Sequence, residues 1–299
     1  MVGRYGQYES SVNAGDVPTI IAGQLEQELA EVSIEESVAE SLVNGRTIIL
    51  TLPSNAKWTA VDTDSNRGAR LEFAGFVGSD GTAAKWKVEG SSTSKAATLD
   101  LKDMEIVTAP DFEGDLVAEI SGSAGISGKV TLAKVVPAVK MSVDNKITVG
   151  IGQAAQSIGT ITITENIDGA LNDDKDLLID LPDGVSFSGI PTVEVTEGDL
   201  EIKDNDLDLK DDGSTEDNTL VIPIDSESTT ASTITIKDAK ITVNRSVAEG
   251  DITAKVKGDA VIEANDIDEI EDYFSEIVND YPQVEGKNAF KLKNDMIFP

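Results

Sequence analysis

The chain reads as all-β: two tandem β-sandwich-like (Ig-like) domains with a short N-terminal arm and a C-terminal extension. Three observations predict this. Short runs with apolar residues two apart recur along the chain, separated by Gly, Ser and Asp clusters, as half-buried strands joined by turns require. One stretch is used twice, since Ala30 to Trp58 aligns without a gap with Gly159 to Phe187. Aromatic residues are 4 % of the chain against 39 % hydrophobic, so the cores are packed mostly with Val, Ile, Leu and Ala.

The order of elements follows from these signals. Residues 1–16 are polar, with Tyr5 and Tyr8, and read as an arm without a core of its own: a loose terminus, or a segment that docks on a neighbouring subunit. Repeat one spans 17–135. Val32 and Ile34 lead through a short connector to Thr47-Ile48-Ile49-Leu50-Thr51-Leu52-Pro53, a β-branched run closed by Pro. Residues 35–42 have some helical spacing, but Gly169 in the second copy weakens a helix there. A turn or short crossover is the reading. Strands follow at Arg70–Phe73, Ala84–Val88, Thr98–Leu101, Glu105–Val107 and Leu116–Ile120, with Gly75, Gly81, Gly90 and Gly122 between them. Strands at this short, regular spacing build sandwiches or barrels.

Val135-Val136-Pro137 marks the join, and repeat two spans 136–262. Ile34 meets Ile163, Glu36 meets Glu165, Leu42 meets Leu171, Leu52-Pro53 meets Leu181-Pro182, and Trp58 meets Phe187. Gly23-Gln24 with Gln27 recurs as Gly152-Gln153 with Gln156. Lys102-Asp103 recurs as Lys237-Asp238, and Glu113-Gly114-Asp115 as Glu249-Gly250-Asp251, with Gly122 answered by Gly258. Alternating strand faces can converge; matched corners of this kind point to duplication. Residues 263–299 form the extension. Ile267, Ile270, Phe274, Ile277 and Val278 predict an amphipathic helix, stopped by Pro282. After it, Phe290 and Leu292 alternate with lysines, and Met296-Ile297-Phe298 follow. This apolar strip is either a last strand on its own domain or a strand that completes a neighbour's sheet.

Composition limits the chemistry. Cys and His are both absent, so disulfides, Ser-His-Asp triads, Cys nucleophiles and His-ligated zinc are excluded. Carboxylate catalysis survives, but neither Trp58 nor Trp86 stands beside an acid pair as a sugar platform would. A formal charge of −31 repels nucleic acid and anionic membrane surfaces, and attracts cations. No run reaches the ~20 apolar residues of a membrane span. Met1 to Asp16 contains no apolar signal-peptide core, which fits either a cytosolic protein or a mature exported one whose leader has been removed. Asp204, Asp206, Asp208, Asp211 and Asp212, near Gly213, offer alternating oxygen ligands of the kind calcium takes, outside any EF-hand pattern. The plain alternative is a solvated acidic loop. No other cofactor is indicated.

The motifs I-x-E…L…L-P, I-K-D and V-x-E-G-D-I-x-A-x-V-x-G resemble β-rich repeat modules of secreted cell-surface proteins of anaerobic Firmicutes, often found beside copper amine oxidase-like N-terminal (stalk) domains or S-layer modules. The match runs from about Val17 to Ile262 and is best from Ser157 to Ala260. The resemblance implies an exported, surface-associated β-sandwich array. It carries over no catalytic residue and no copper ligand. The expected role is a non-catalytic extracellular structural protein whose partner is itself, a homo-polymer joined by strand addition through Tyr5, Tyr8, Phe290, Leu292, Met296, Ile297 and Phe298. No nucleic acid and no membrane insertion are expected. The alternative is a monomeric cell-surface adhesin or carbohydrate-binding module.

Overall fold

The structure is a computed structural model that describes residues 10–25, 27–65, 69–77, 81–110, 112–211, 215–261 and 291–294. The chain divides into two compact units, Met1–Val136 and Pro137–Pro299. Almost every regular element is a strand. The exception among the described residues is a single 3₁₀ turn, Asp204–Asp206.

The first unit holds β1 (Ser11–Ala14), β2 (Thr19–Ile21), β3 (Val32–Glu35), β4 (Thr47–Thr51), β5 (Ala56–Ser65), β6 (Ala69–Val77), β7 (Ala83–Gly90), β8 (Thr98–Thr108), β9 (Gly114–Ser121) and β10 (Gly128–Val136). They form one sheet in the order β1-β3-β8-β5 and another in the order β2-β10-β9-β4-β7-β6. Residues 11–14, read from sequence as part of the arm, pair antiparallel with β3. Four residues with one apolar alternation are too short a signal to separate from a floppy terminus. The alternating residues of both sheets fill one core: Val32, Ile34, Leu99 and Leu101 from the first, Ile48, Leu50, Leu116 and Ala118 from the second. Trp58 and Trp86 meet edge to face at its centre, ring centroids 6.3 Å apart, a preferred aromatic geometry. Trp58 is thus a core aromatic, and Phe187 is buried at the matching place in the second unit.

The second unit holds β11 (Val139–Val143), β12 (Thr148–Val149), β13 (Gln156–Ser157), β14 (Ile161–Glu165), β15 (Asp176–Asp180), β16 (Val185–Phe187), β17 (Thr192–Glu197), β18 (Glu201–Ile202), β19 (Asp208–Lys210), β20 (Thr219–Ser226), β21 (Thr233–Lys237), β22 (Lys240–Val243), β23 (Asp251–Thr253), β24 (Lys255–Lys257) and β25 (Lys291–Asn294). Its sheets run β11-β14-β21-β17, β13-β22-β16, β12-β25-β23 and β18-β20-β15-β24. The duplication therefore reaches the topology. β11, β14 and β21 stand where β1, β3 and β8 stand, and the series β12, β25, β23/β24, β15, β20 repeats β2, β10, β9, β4, β7. The long strands β5 and β8 are each split in two in the second copy.

The repeated corners have physical causes. Asp103 and Asp238, from the two Lys-Asp pairs, both take a left-handed backbone, φ 44° and 55°, which Asp tolerates better than most residues. At the Leu-Pro corners the N–H of Ala56 donates to the Pro53 carbonyl at 3.1 Å and that of Val185 to the Pro182 carbonyl at 3.0 Å, so each Pro begins a tight turn. Residues 36–42 form turns rather than a helix, in line with the crossover reading. The helix expected over 266–281 lies outside the described residues.

Candidate functional site

The C-terminal strand is where the two repeats part company. In the first unit β10 lies parallel to β2, with Lys134 opposite Thr19 and Val135 opposite Ile20, and antiparallel to β9, with Lys134 opposite Asp115. In the second unit β25 takes this slot. Lys293 stands opposite Thr148 on parallel β12 and opposite Asp251 on antiparallel β23. Thr19 and Thr148, like Asp115 and Asp251, are equivalent positions of the repeat, so Lys293 stands where Lys134 does. The routes into the slot differ. Six residues, 122–127, separate β9 from β10, whereas 33 residues, 258–290, separate β24 from β25.

The parallel wall of the slot is braced. Beyond β12 the Gln156 side chain acts as a peptide mimic. Its Oε1 accepts the Gly150 N–H at 2.6 Å, and its Nε2 donates to the carbonyls of Gly150 at 2.9 Å and Gln153 at 3.1 Å. Gln27 does the same for Ile21 and Gln24 in the first unit. This is why Gly-Gln…Gln recurs: a side-chain amide satisfies backbone groups that the turn leaves unpaired. On the far side of the same sheet series, Lys257 of β24 pairs with Asp180 of β15 at 2.7 Å, both largely buried. The Asp180 carboxylate also accepts the Thr219 hydroxyl at 3.0 Å.

Of the predicted assembly residues, Leu292 falls in β25 and its backbone stands opposite Ile252. Tyr5, Tyr8, Phe290, Met296, Ile297 and Phe298 lie outside the described residues. Four of the five predicted calcium ligands lie among the described residues. Asp204 and Asp206 sit on the 3₁₀ turn and Asp208 on β19. The Asp208 carboxylate accepts the neighbouring Leu209 N–H at 2.9 Å, and that of Asp211 accepts the Asp217 N–H at 3.0 Å. Asp212 is outside the described residues. Among the described residues no three acidic side chains come close enough together to hold a metal ion. Asp204 borders an open depression of about 440 Å³ with Glu194, Glu201 and Asp225. Nearby, Lys203 reaches Asp174 at 2.7 Å, and this hydrogen bond and its charge hold the Asp174 carboxyl below its ordinary range. Among the described residues no helix is long and apolar enough to cross a membrane.

Sequence reasoning missed one feature. The two buried glutamates, Glu36 and Glu165, are hubs: Glu165 accepts the N–H of Leu171 at 3.1 Å, the N–H of Ser232 at 2.7 Å and the Ser228 hydroxyl at 2.7 Å. Glu36 does likewise for Leu42, Ala97 and Ser92. The signal was the I-x-E…L spacing itself, a polar residue kept at a core-facing register six places before a buried Leu.

No protein-family model matches the chain, and no curated protein sequence matches it. Among solved structures it is similar to the C-terminal domain of the Streptococcus agalactiae AgI/II polypeptide BspA, at 10 % identity over 84 % of this chain and 96 % of that one, TM-score 0.37. It is similar to the C-terminal domain of the Streptococcus pyogenes antigen I/II-family protein AspA, at 9 % identity over 96 % and 98 % of the two chains, TM-score 0.35. It is also similar to the C-terminal fragment of the major pilin GBS80 of Streptococcus agalactiae, at 8 % identity over 96 % and 92 %, TM-score 0.31.

Proposed function

We propose that this chain is a non-catalytic, extracellular structural protein, a subunit that assembles with copies of itself by strand addition. The observation that carries the reading is the last slot of the second unit. It is filled by a strand from the end of the chain, across a 33-residue connection, while its counterpart in the first unit is filled by the next strand in line. A connection of that length spans up to roughly 110 Å when extended, more than the width of a domain. The same segment therefore has the reach to enter the equivalent slot of a second copy. The main-chain ladder that β25 makes with β12 and β23 would be identical in either case, and exchange of an identical element is a low-cost route to assembly. The alternating apolar and basic residues from Phe290 to Lys293 suit a slot in an otherwise acidic molecule. A charge of −31 opposes association, so the reading includes cations that screen or bridge the joints, calcium among them.

The absence of Cys makes the test clean. Asp251→Cys and Lys293→Cys are prepared in separate chains, mixed, and oxidised. A disulfide-linked dimer of the two variants is expected, and a chain carrying both substitutions should give a ladder of linked species. If the mixture yields no mixed disulfide and the double variant closes only within single chains, strand exchange is wrong. The adhesive monomer then becomes the better reading.

A further inference from the structure

We propose that the outer face of the β11-β14-β21-β17 sheet is a self-association surface on which a second copy of this chain docks. Four strands present ten accessible side chains there: Lys140 and Ser142 on β11, Thr162 and Thr164 on β14, Thr235 and Lys237 on β21, and Thr192, Glu194, Thr196 and Glu197 on β17, with Thr233 buried among them. Their partners Val139, Met141, Ile161, Ile163, Ile234, Ile236 and Val193 are buried. The registers put them in rows. Ser142 stands opposite Thr162, Thr162 opposite Thr235, and Thr235 opposite Glu194.

Charge makes this face unusual in this molecule. Residues 1–136 carry 11 basic and 20 acidic side chains, a net of −9, and residues 137–299 carry 13 and 35, a net of −22. The second unit is much the more acidic, yet on this face its two carboxylates, Glu194 and Glu197, are matched by two lysines, Lys140 and Lys237, and Glu194 is paired with Lys237 at 2.6 Å. The duplication supplies the control. Thr164 occupies the position of Glu35, and Thr235 that of Asp100, as the paired registers of β3 with β8 and of β14 with β21 require. The same sheet position accepts a carboxylate in one copy and lacks it in the copy with the surplus. A partner that is itself at −31 meets no net charge on this face, whereas like-charge juxtaposition is what otherwise keeps two such chains apart. The hydroxyls are also tied down before contact. Thr196 shares a hydrogen bond with the Thr235 hydroxyl at 2.8 Å and donates to the Thr233 carbonyl at 3.3 Å, and the Thr164 and Thr233 hydroxyls are 3.4 Å apart. Little side-chain freedom is lost on docking.

The area sets the strength. Four strands about 4.8 Å apart and five residues long cover roughly 300 Å², so two facing copies bury about 600 Å², well under the ~1,200 Å² of a stable isolated complex. The contact is weak on its own and gains weight when repeated along an assembly. It does not depend on strand exchange.

The experiment uses the full chain with Asp251→Cys and Lys293→Cys oxidised within one molecule, so that β25 is locked in its own slot and exchange is blocked. Sedimentation velocity is recorded over a concentration series at moderate salt. The locked chain should associate reversibly above its monomer mass of 31.6 kDa. Thr164→Glu with Thr235→Asp, the side chains that the first copy carries at these places, should weaken association at least tenfold. A second variant, Lys140→Glu, should weaken it in the same direction, and Glu35→Thr with Asp100→Thr should leave it unchanged. A locked chain that stays monomeric, or a face variant that associates like the parent, overturns the proposal while leaving strand exchange to its own test. Loss of pelleting with insoluble cell-wall glycan, with self-association intact, overturns it in favour of a polysaccharide partner.

Discussion

At the scale of single residues, the pair Glu36 and Glu165 shows how the repeat holds its shape. Each carboxylate is buried and accepts two backbone N–H groups and a hydroxyl from two different loops. A hydrogen bond to a charged group contributes about 1.5–3 kcal/mol, and a buried donor left without an acceptor costs about as much. Glu165→Gln keeps the shape but turns one acceptor into a donor that faces another donor. It is expected to destabilise the second unit by roughly 2 kcal/mol, read as a lower urea midpoint with an unchanged slope, and Glu36→Gln should do the same to the first. Asp199 gives a pH-dependent counterpart. Its carboxylate accepts the N–H of Thr229 and Thr230 at 2.9 and 2.8 Å, together with the Thr229 hydroxyl. These bonds, the hydroxyl's first, lower its pKa. A depressed carboxyl stabilises the fold above its unfolded pKa of about 3.9 and loses that contribution as pH falls through the folded value. Carbon NMR should therefore find the Asp199 midpoint below about 3.9, with the Thr229 and Thr230 amide shifts moving along the same curve. An Asp199 midpoint at or above that value sinks the assignment.

At the scale of elements, Gly122 and Gly258 explain why the strand corresponding to β9 ends on glycine in both copies. Their φ angles are 124° and 101°. A Cβ on Gly122 would sit 2.3 Å from the Thr47 carbonyl oxygen, and one on Gly258 2.1 Å from that of Asp176. Backbone cannot yield as a flexible side chain can, so Gly258→Ala is expected to cost roughly 2 kcal/mol or more through combined clash and strain. A calorimetric scan in which the second transition does not move would refute this. These glycines were legible as a matched pair because their role is local and written in one residue. The same holds for the Leu-Pro corners, Lys-Asp and Gly-Gln…Gln. What escaped was non-local. β1 is four residues whose strand character comes from β3 opposite it. The split of β8 into β21 and β22 comes from how each copy pairs across the sheet. The slot of β25 is defined by strands more than 30 residues away, and no periodicity reports that. The acidic stretch 204–212 had a legible composition, but whether its side chains converge depends on a 3₁₀ turn and a short strand pairing with β20.

At the scale of the whole molecule, duplication gave two sandwiches whose main difference is how each is closed. The first is closed by the chain on its way to the second, and the second by a segment that first travels 33 residues. Removing that segment should thus be felt by one unit only. A chain ending at Gly286 lacks β25 and leaves the facing edges of β12 and β23 unpaired, with Val149 and Ile252, both buried in the full chain, next to the gap. Five cross-strand residue pairs disappear. At about 1 kcal/mol net per hydrogen bond the second unit should lose roughly 3–5 kcal/mol while the first keeps its transition. A synthetic peptide of residues 287–299 should bind the truncated chain and restore the second transition, because it brings the same ladder without the tether. The full-length chain should resist the peptide unless its own β25 leaves the slot, and the rate of peptide uptake by the full chain measures how often that happens. Uptake at a rate that matches polymer growth would tie strand release to assembly. A truncated chain that neither loses stability nor binds the peptide would mean that β25 is no part of the second sandwich, and strand addition at this slot would have to be abandoned.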